Sequence, residues 1–210
     1  THDQSSAASD VYKRQPISVA RGAYWLGKTY KVLGYNELSN KWFTEASNYL
    51  TTYYGQLAFM EINPNGKFEL SKDFEVNKKY RDYFFKKEIV KLIYLLDELD
   101  EDKYAKHMLR HLANDNIDSG SEILAAELAT NIDRFDFAIQ ISKIASYEKR
   151  FHNKFNYPII STPKYINGRK IPEAAFILSI IRQESEFDLK ANSHAGAKGL
   201  MQLLSLIHIS

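Results

Sequence analysis

The sequence predicts an all-α protein: helices that pair and stack as a repeat array, a solenoid or curved superhelix, followed by a second, shorter module. Three observations carry this. From about Val19 to Tyr147, apolar residues recur at helical spacing with short polar breaks between the periodic segments. Pro158 and Pro163, with Gly168 after them, then interrupt the pattern. Beyond them Ile171-Pro172-Glu173 opens a new and strongly apolar helix. At about 150 residues per domain, the 210 residues amount to roughly 1.4 domains, one domain and part of another.

The first helix runs through Ala23, Leu26, Tyr30 and Leu33, and Gly34 ends it. A second starts near Asn36 and carries Leu38, Trp42, Phe43 and Ala46 on one side. Together with Trp25-Leu26-Gly27, this spacing is loosely similar to a tetratricopeptide-type pair, in which small residues let one helix lie against a large residue of the next. Tyr53 to Ala58 begins a third. Asn63-Pro64-Asn65-Gly66 is a turn cluster, and Lys67 to Leu70 after it suits a short extended excursion. Helices resume over 80–99, 103–112, 122–131 and 135–147. Asp118, Ser119 and Ser121 stand where an N-cap belongs. Aromatic residues make up 13% of the chain and fall on these apolar stripes, which suits core packing better than a stacking platform for sugars or bases.

Composition excludes several classes. Hydrophobic content of 44% and charged content of 26% are those of a soluble globular protein, not of a disordered tail or fibre. The most apolar stretch, Ala174 to Ile181, is eight residues long, well short of the roughly 18 that a membrane span needs. A net charge of +2 from 28 basic and 26 acidic residues gives no footprint for nucleic acid. With no cysteine, disulfides, thiolate nucleophiles and Cys-bound metals are excluded. His107 and His111, spaced i, i+4, lack an acidic ligand motif and read as a solvated helix face, so no metal and no cofactor is expected.

Both ends look foreign to the fold. The chain starts Thr1-His2-Asp3 without Met, and the segments Ser9 to Gln15 and Ser205 to Ser210 resemble translated sequencing adapter. The expected division is 1–16 non-native or disordered, 17–150 the helical array, 151–170 a linker, 171–204 the start of a second domain, and 205–210 non-native.

The chemistry lies in 171–204. The helix Ala174 to Ile181 is apolar nearly all round and should be buried, and Arg182-Gln183-Glu184-Ser185-Glu186-Phe187 ends it. Glu184 follows Ile180, Ile181 and Ile177 along one face, so its carboxylate is expected on the buried side. Desolvation and the negative end of the helix dipole would there raise its pKa. Glu186, one turn past Arg182, is expected in an exposed pair. A glutamate kept protonated near neutrality can donate to a leaving oxygen; an inward glutamate satisfied by a backbone amide or hydroxyl fits the local sequence as well. Gly196 and Gly199, three apart, suit close backbone packing or the approach of a ligand.

The joint pattern is more specific. Glu-Ser ends an apolar helix, Ser193 follows nine residues after the glutamate, and Gly196-Ala197-Lys198-Gly199-Leu200-Met201-Gln202 comes next. It resembles the start of the lysozyme-like SLT domain of lytic transglycosylases, and Arg182-Gln183-Glu184-Ser185 resembles the soluble murein transglycosylase branch. The specific resemblance covers about 34 residues, Ile171 to Leu204; Tyr54-Gly55-Gln56-Leu57-Ala58 is similar to that branch's helical-repeat region. The expected continuation after Gln202 is replaced by Ser205 to Ser210, so the chain is expected to be a fragment with negligible activity.

The resemblance implies a periplasmic enzyme acting on peptidoglycan glycan strands, with Glu184 as the single catalytic acid and then base. It further implies that Ser193 hydrogen-bonds the glutamate and that Gln202 contacts sugar, with Ser185 and Met201 in the same motifs. Met201 could equally be core. Asp188, the nearby carboxylate, suits a turn cap better than a catalytic partner. Two alternatives stay open: a lysozyme-like hydrolase on the same scaffold, and a non-catalytic helical-repeat module that binds wall fragments or a protein partner.

Overall fold

The computed structural model describes residues 15–68 and 74–204. The expectations for the two termini and for Glu69 and Leu70 lie outside these residues. The fold is all-α, with a two-stranded hairpin as its only sheet among the described residues. The described residues form two compact units, one within Thr1–Lys72 and Ser146–Arg150, the other within Asp73–Ala145 and Phe151–Ser210. No described helix is long and apolar enough to cross a membrane.

In the first unit, α1 (Pro16–Val32), α2 (Asn36–Ser47) and α3 (Tyr53–Ile62) pack on one another. Pro16 starts α1, where a missing N–H costs nothing, and Gly34 turns the chain at φ +79°. The helices meet through a small-against-large contact: a Cβ on Gly27 would stand 2.7 Å from the Phe43 ring. Ser39, buried at the same crossing, donates to the Gly27 carbonyl at 2.9 Å. Tyr24 fills the space between Phe43 and Tyr54. Not all of the apolar stripe is core, since Leu26 and Leu33 are exposed. Thr52 caps α3 by accepting from the Gly55 N–H.

The second unit holds α4 (Lys78–Phe84), α5 (Glu88–Glu98), α6 (Asp102–Asp115), a 3₁₀ turn (Ile117–Ser119) and α7 (Ser121–Asn131). It continues with α8 (Phe135–Tyr147), which belongs to this unit as far as Ala145, the single-turn α9 (Asn153–Asn156), β1 (Tyr165–Ile166), β2 (Arg169–Lys170) and α10 (Ala174–Glu184). The span read as one helix over 80–99 is two helices. At about 100° per residue, a continuous helix would turn Ile93 roughly 180° away from Phe84. Yet both are fully buried in the same core, and a break at Phe85 to Lys87 lets both face it. Lys87 secures the break, over the Tyr83 and Phe84 rings and paired with Asp115.

α7 is the central element, with all of Ser121–Ala126, Leu128 and Ala129 buried. The expected N-cap at Ser121 is displaced by one residue: Gly120 caps the helix at φ +88°. The Ser121 hydroxyl donates instead to the Ala113 carbonyl.

Candidate active site

α10 begins after Glu173, with Pro172 just outside the helix. It lays Ile177, Leu178 and Ile181 on a cluster made with Ile139 and Phe135 of α8, Ile160, Phe187, Leu200 and Met201. The expectation of a helix buried on all sides is corrected: of its residues only Ile181 is buried, and Phe176 is 59% exposed. One face meets α8 and the rest of the surface does not.

The environments expected for the two glutamates are exchanged. Glu184 is exposed, so the isoleucines do not desolvate it. After Ser185 the chain reverses with Glu186 at φ +53° and Phe187 at φ +67°, both left-handed. This reversal drops the Phe187 ring, 4% exposed, into the place on the cluster that the helical stripe had assigned to the glutamate. Glu186 is carried toward α8, where its carboxylate is partly buried, accepting from Lys143 Nζ at 2.5 Å and from the Arg182 guanidinium at 3.4 Å. Arg182 was legible as a neighbour of Glu186, whereas its main partner was not. Its guanidinium donates to the Asn156 backbone oxygen at 2.9 Å and to Asn156 Oδ1 at 2.8 Å.

The glycine motif folds into two turns. Ser193 and Ala197 pair through the Ser193 N–H and the Ala197 oxygen, and the Gly196 N–H closes the turn on the Ser193 oxygen. The Gln202 N–H closes a second turn on the Gly199 oxygen. Gly196 sits at φ +82° and Gly199 at φ +72°. A Cβ on Gly199 would meet nothing within 4 Å, so backbone conformation rather than close packing calls for that glycine.

The remaining expected site residues divide between holding the loop and lining it. Ser185 Oγ donates to the Leu200 carbonyl at 2.8 Å, which fastens the second turn back onto the end of α10. Ser193 Oγ accepts from the Ala197 N–H, and no hydrogen bond joins it to Glu184 among the described residues. Gln202 Nε2 donates to the Ala191 and Gly199 oxygens, so its amide staples the loop. Met201 packs on the cluster. Asp188 accepts from the Lys190 N–H, a turn cap. His107 and His111 are exposed on α6. A cavity of about 390 Å³ flanks α10, its lining including Tyr157, Pro158, Leu178, Gln183 and Phe187; Glu184 is not part of that lining. Burial pushes the Tyr157 phenol above its usual range.

Two further contacts anchor this segment to its unit, and no local signal announces either. Lys190 Nζ reaches Asp100 and Asp102, both at 3.0 Å, and these hydrogen bonds hold its ammonium above the usual lysine range. Asp102 also pairs with Arg134, which lies 3.7 Å over the Phe137 ring. At the start of α9, the buried His152 and Glu122 meet at 2.9 Å, joining that helix to α7.

Residues 164–206, which contain Glu184 and both turns, match the family described as the transglycosylase SLT domain. The segment is similar to that family over these residues, a minor part of the chain. A protein of Haemophilus influenzae described, by inference, as a soluble lytic murein transglycosylase is 32% identical to the chain over 122 residues. That match covers 56% of the chain and 20% of the relative, so the chain spans about a fifth of the relative's length. Within the matched segment, Glu184 lies at the exposed end of α10, Ser185 fastens the second glycine turn to that end, and Gln202 staples the loop itself.

Proposed function

We propose that the chain is part of a peptidoglycan lytic transglycosylase of the periplasm that serves cell-wall turnover. Its helices before residue 150 form a helical-repeat array, and 171–204 form the leading edge of the catalytic domain. In this reading Glu184 gives its proton to the glycosidic oxygen between N-acetylmuramic acid and N-acetylglucosamine as the bond from carbon-1 breaks. The resulting carboxylate takes the proton of the muramoyl carbon-6 hydroxyl, whose oxygen closes onto carbon-1 and leaves a 1,6-anhydro end. No water is consumed. The sugar's acetamido group and its own hydroxyl take the parts that a second carboxylate plays in glycosidases.

The SLT match over residues 164–206, with Glu184 inside it, carries the reading. An exposed carboxylate at a helix end is free to meet a substrate oxygen. Ser193 uses a lone pair to accept from Ala197, which leaves its O–H as a donor, and the family resemblance pairs that donor with Glu184. Gln202 commits its amide N–H₂ and keeps its carbonyl oxygen for a sugar hydroxyl. Glu184 is not among the residues that line the cavity beside α10, and turnover needs a strand held in line with the acid.

The test is the mass of the products that a longer form releases from peptidoglycan, one in which residue 204 is continued by the remainder of an SLT domain. Anhydro products, lighter than reducing sugars by one water, support the reading. Reducing ends would assign a hydrolase, and binding without any release a non-catalytic module.

A further inference from the structure

We propose that Lys143 and Asn156 are positioning residues for Glu184, so that the catalytic glutamate is aimed by α8 and α9 as well as by its own helix. This rests on the reading of Glu184 as the acid. The observations are geometric. Glu184 lies between two residues that are each tied to another element: Arg182 to Asn156 of α9 through two hydrogen bonds of 2.9 and 2.8 Å, and Glu186 to Lys143 of α8 at 2.5 Å. Arg182 and Glu186 also meet each other, which closes a continuous chain from α9 through the last turn of α10 to α8.

The anchors at the two ends of this chain are firm. Asn156 is 8% exposed and follows His152, whose ring is held by Glu122 of the central helix α7. Lys143 lies one turn from Ile139, which is fully buried under Ile181 and Phe187. The segment between them is conformationally costly. Two successive non-glycine residues, Glu186 and Phe187, hold left-handed backbone, each at roughly 1–2 kcal/mol relative to ordinary conformations. A turn of that kind relaxes unless its surroundings over-determine it. The buried Phe187 ring holds one side of the reversal and the Lys143–Glu186 pair the other, and the direction of the helix end that bears Glu184 follows.

Amide hydrogen exchange on the 210-residue chain tests this without needing turnover. In Lys143→Met and in Asn156→Ala, the amides of Ser185 and Asp188, which donate to the Ile181 and Ser185 oxygens, should exchange several-fold faster, while those of α7 keep their rates. Lys143→Arg should behave as the parent. The double exchange Lys143→Glu with Glu186→Lys should recover most of the protection that Lys143→Glu alone loses, a rescue that a merely space-filling role would not produce. Unchanged exchange at Ser185 and Asp188 in both Lys143→Met and Asn156→Ala overturns the proposal. An equal rise across α7 overturns it too, because the substitutions would then loosen the whole unit. Should Glu184 prove not to be the acid, these rates would be unaffected, so the two readings fail separately.

Discussion

Replacing Ile139 by alanine should loosen the SLT segment from the helix beneath it, and the expected size follows from the contacts. Ile139 is fully buried, and its side chain meets Ile181 and Phe187, which are themselves 5% and 4% exposed. Ile→Ala removes three carbons, which at about 0.8 kcal/mol each is about 2.4 kcal/mol of lost burial. The neighbours are held by Ser185 to Leu200 and by Arg182 to Asn156, so they collapse only partly into the space. A residual cavity of about 40 Å³ adds roughly 1 kcal/mol, for a total of about 3 kcal/mol. Urea unfolding of the parent and of Ile139→Ala measures it, with Ile144→Ala as the control. Ile144 lies on the same helix but is 48% exposed, and its truncation should cost less than about 1 kcal/mol. If Ile139→Ala costs no more than Ile144→Ala, the cluster does not join α10 to α8, and the account of how the site is held is wrong.

Three further outcomes are expected. Gly22→Ala should stabilise by about 0.5–1 kcal/mol, because a Cβ there meets nothing within 4 Å in the middle of α1. Gly27→Ala on the same helix should destabilise by about 1–3 kcal/mol, since the methyl meets the Phe43 ring at 2.7 Å; thermal melts with the reverse order would refute the packing. Glu122→Ala should cost about 1–3 kcal/mol by leaving the buried His152 ring nitrogen without its hydrogen-bond partner, and an unchanged melting temperature would contradict a structural role for the pair. Hydrogen bonds from Lys31 and then Lys28 hold the Glu61 carboxyl below its usual range. Because its folded pKa is the lower one, this contribution is complete above the unfolded value of about 4.3. It is lost as pH falls through the folded value. With the lysines 55% and 37% exposed it amounts to no more than about 1 kcal/mol. The double variant Lys28→Met, Lys31→Met should therefore show a shallower loss of stability between about pH 5 and pH 3, and an identical acid profile would refute the assignment.

Local pattern carried the helices well, because helical period and turn chemistry act over a few residues. α8 occupies the residues over which its period runs, and Gly34 ends α1 in the left-handed conformation that its position suggested. The break between α4 and α5 was not visible, because each half is amphipathic by itself and only the shared core shows that one continuous helix would turn Ile93 away from it. In the site, the motif residues were identifiable by pattern, but the surroundings of Glu184 and Glu186 were exchanged. A stripe on a helix says which side is apolar; it does not say that Phe187, after a left-handed reversal, takes the buried seat. Lys143, Asn156, Asp100 and Asp102 lie between 26 and 90 residues from their partners in the segment, where no local spacing rule reaches.

The account stands most directly on Glu184. The decisive measurement is the release of anhydromuropeptides from purified peptidoglycan by the chain continued with the remainder of an SLT domain, compared with its Glu184→Gln variant. The account predicts that the substitution abolishes release while leaving the thermal melt of the protein unchanged, since Glu184 is exposed and supports no packing. Undiminished release by Glu184→Gln would contradict it.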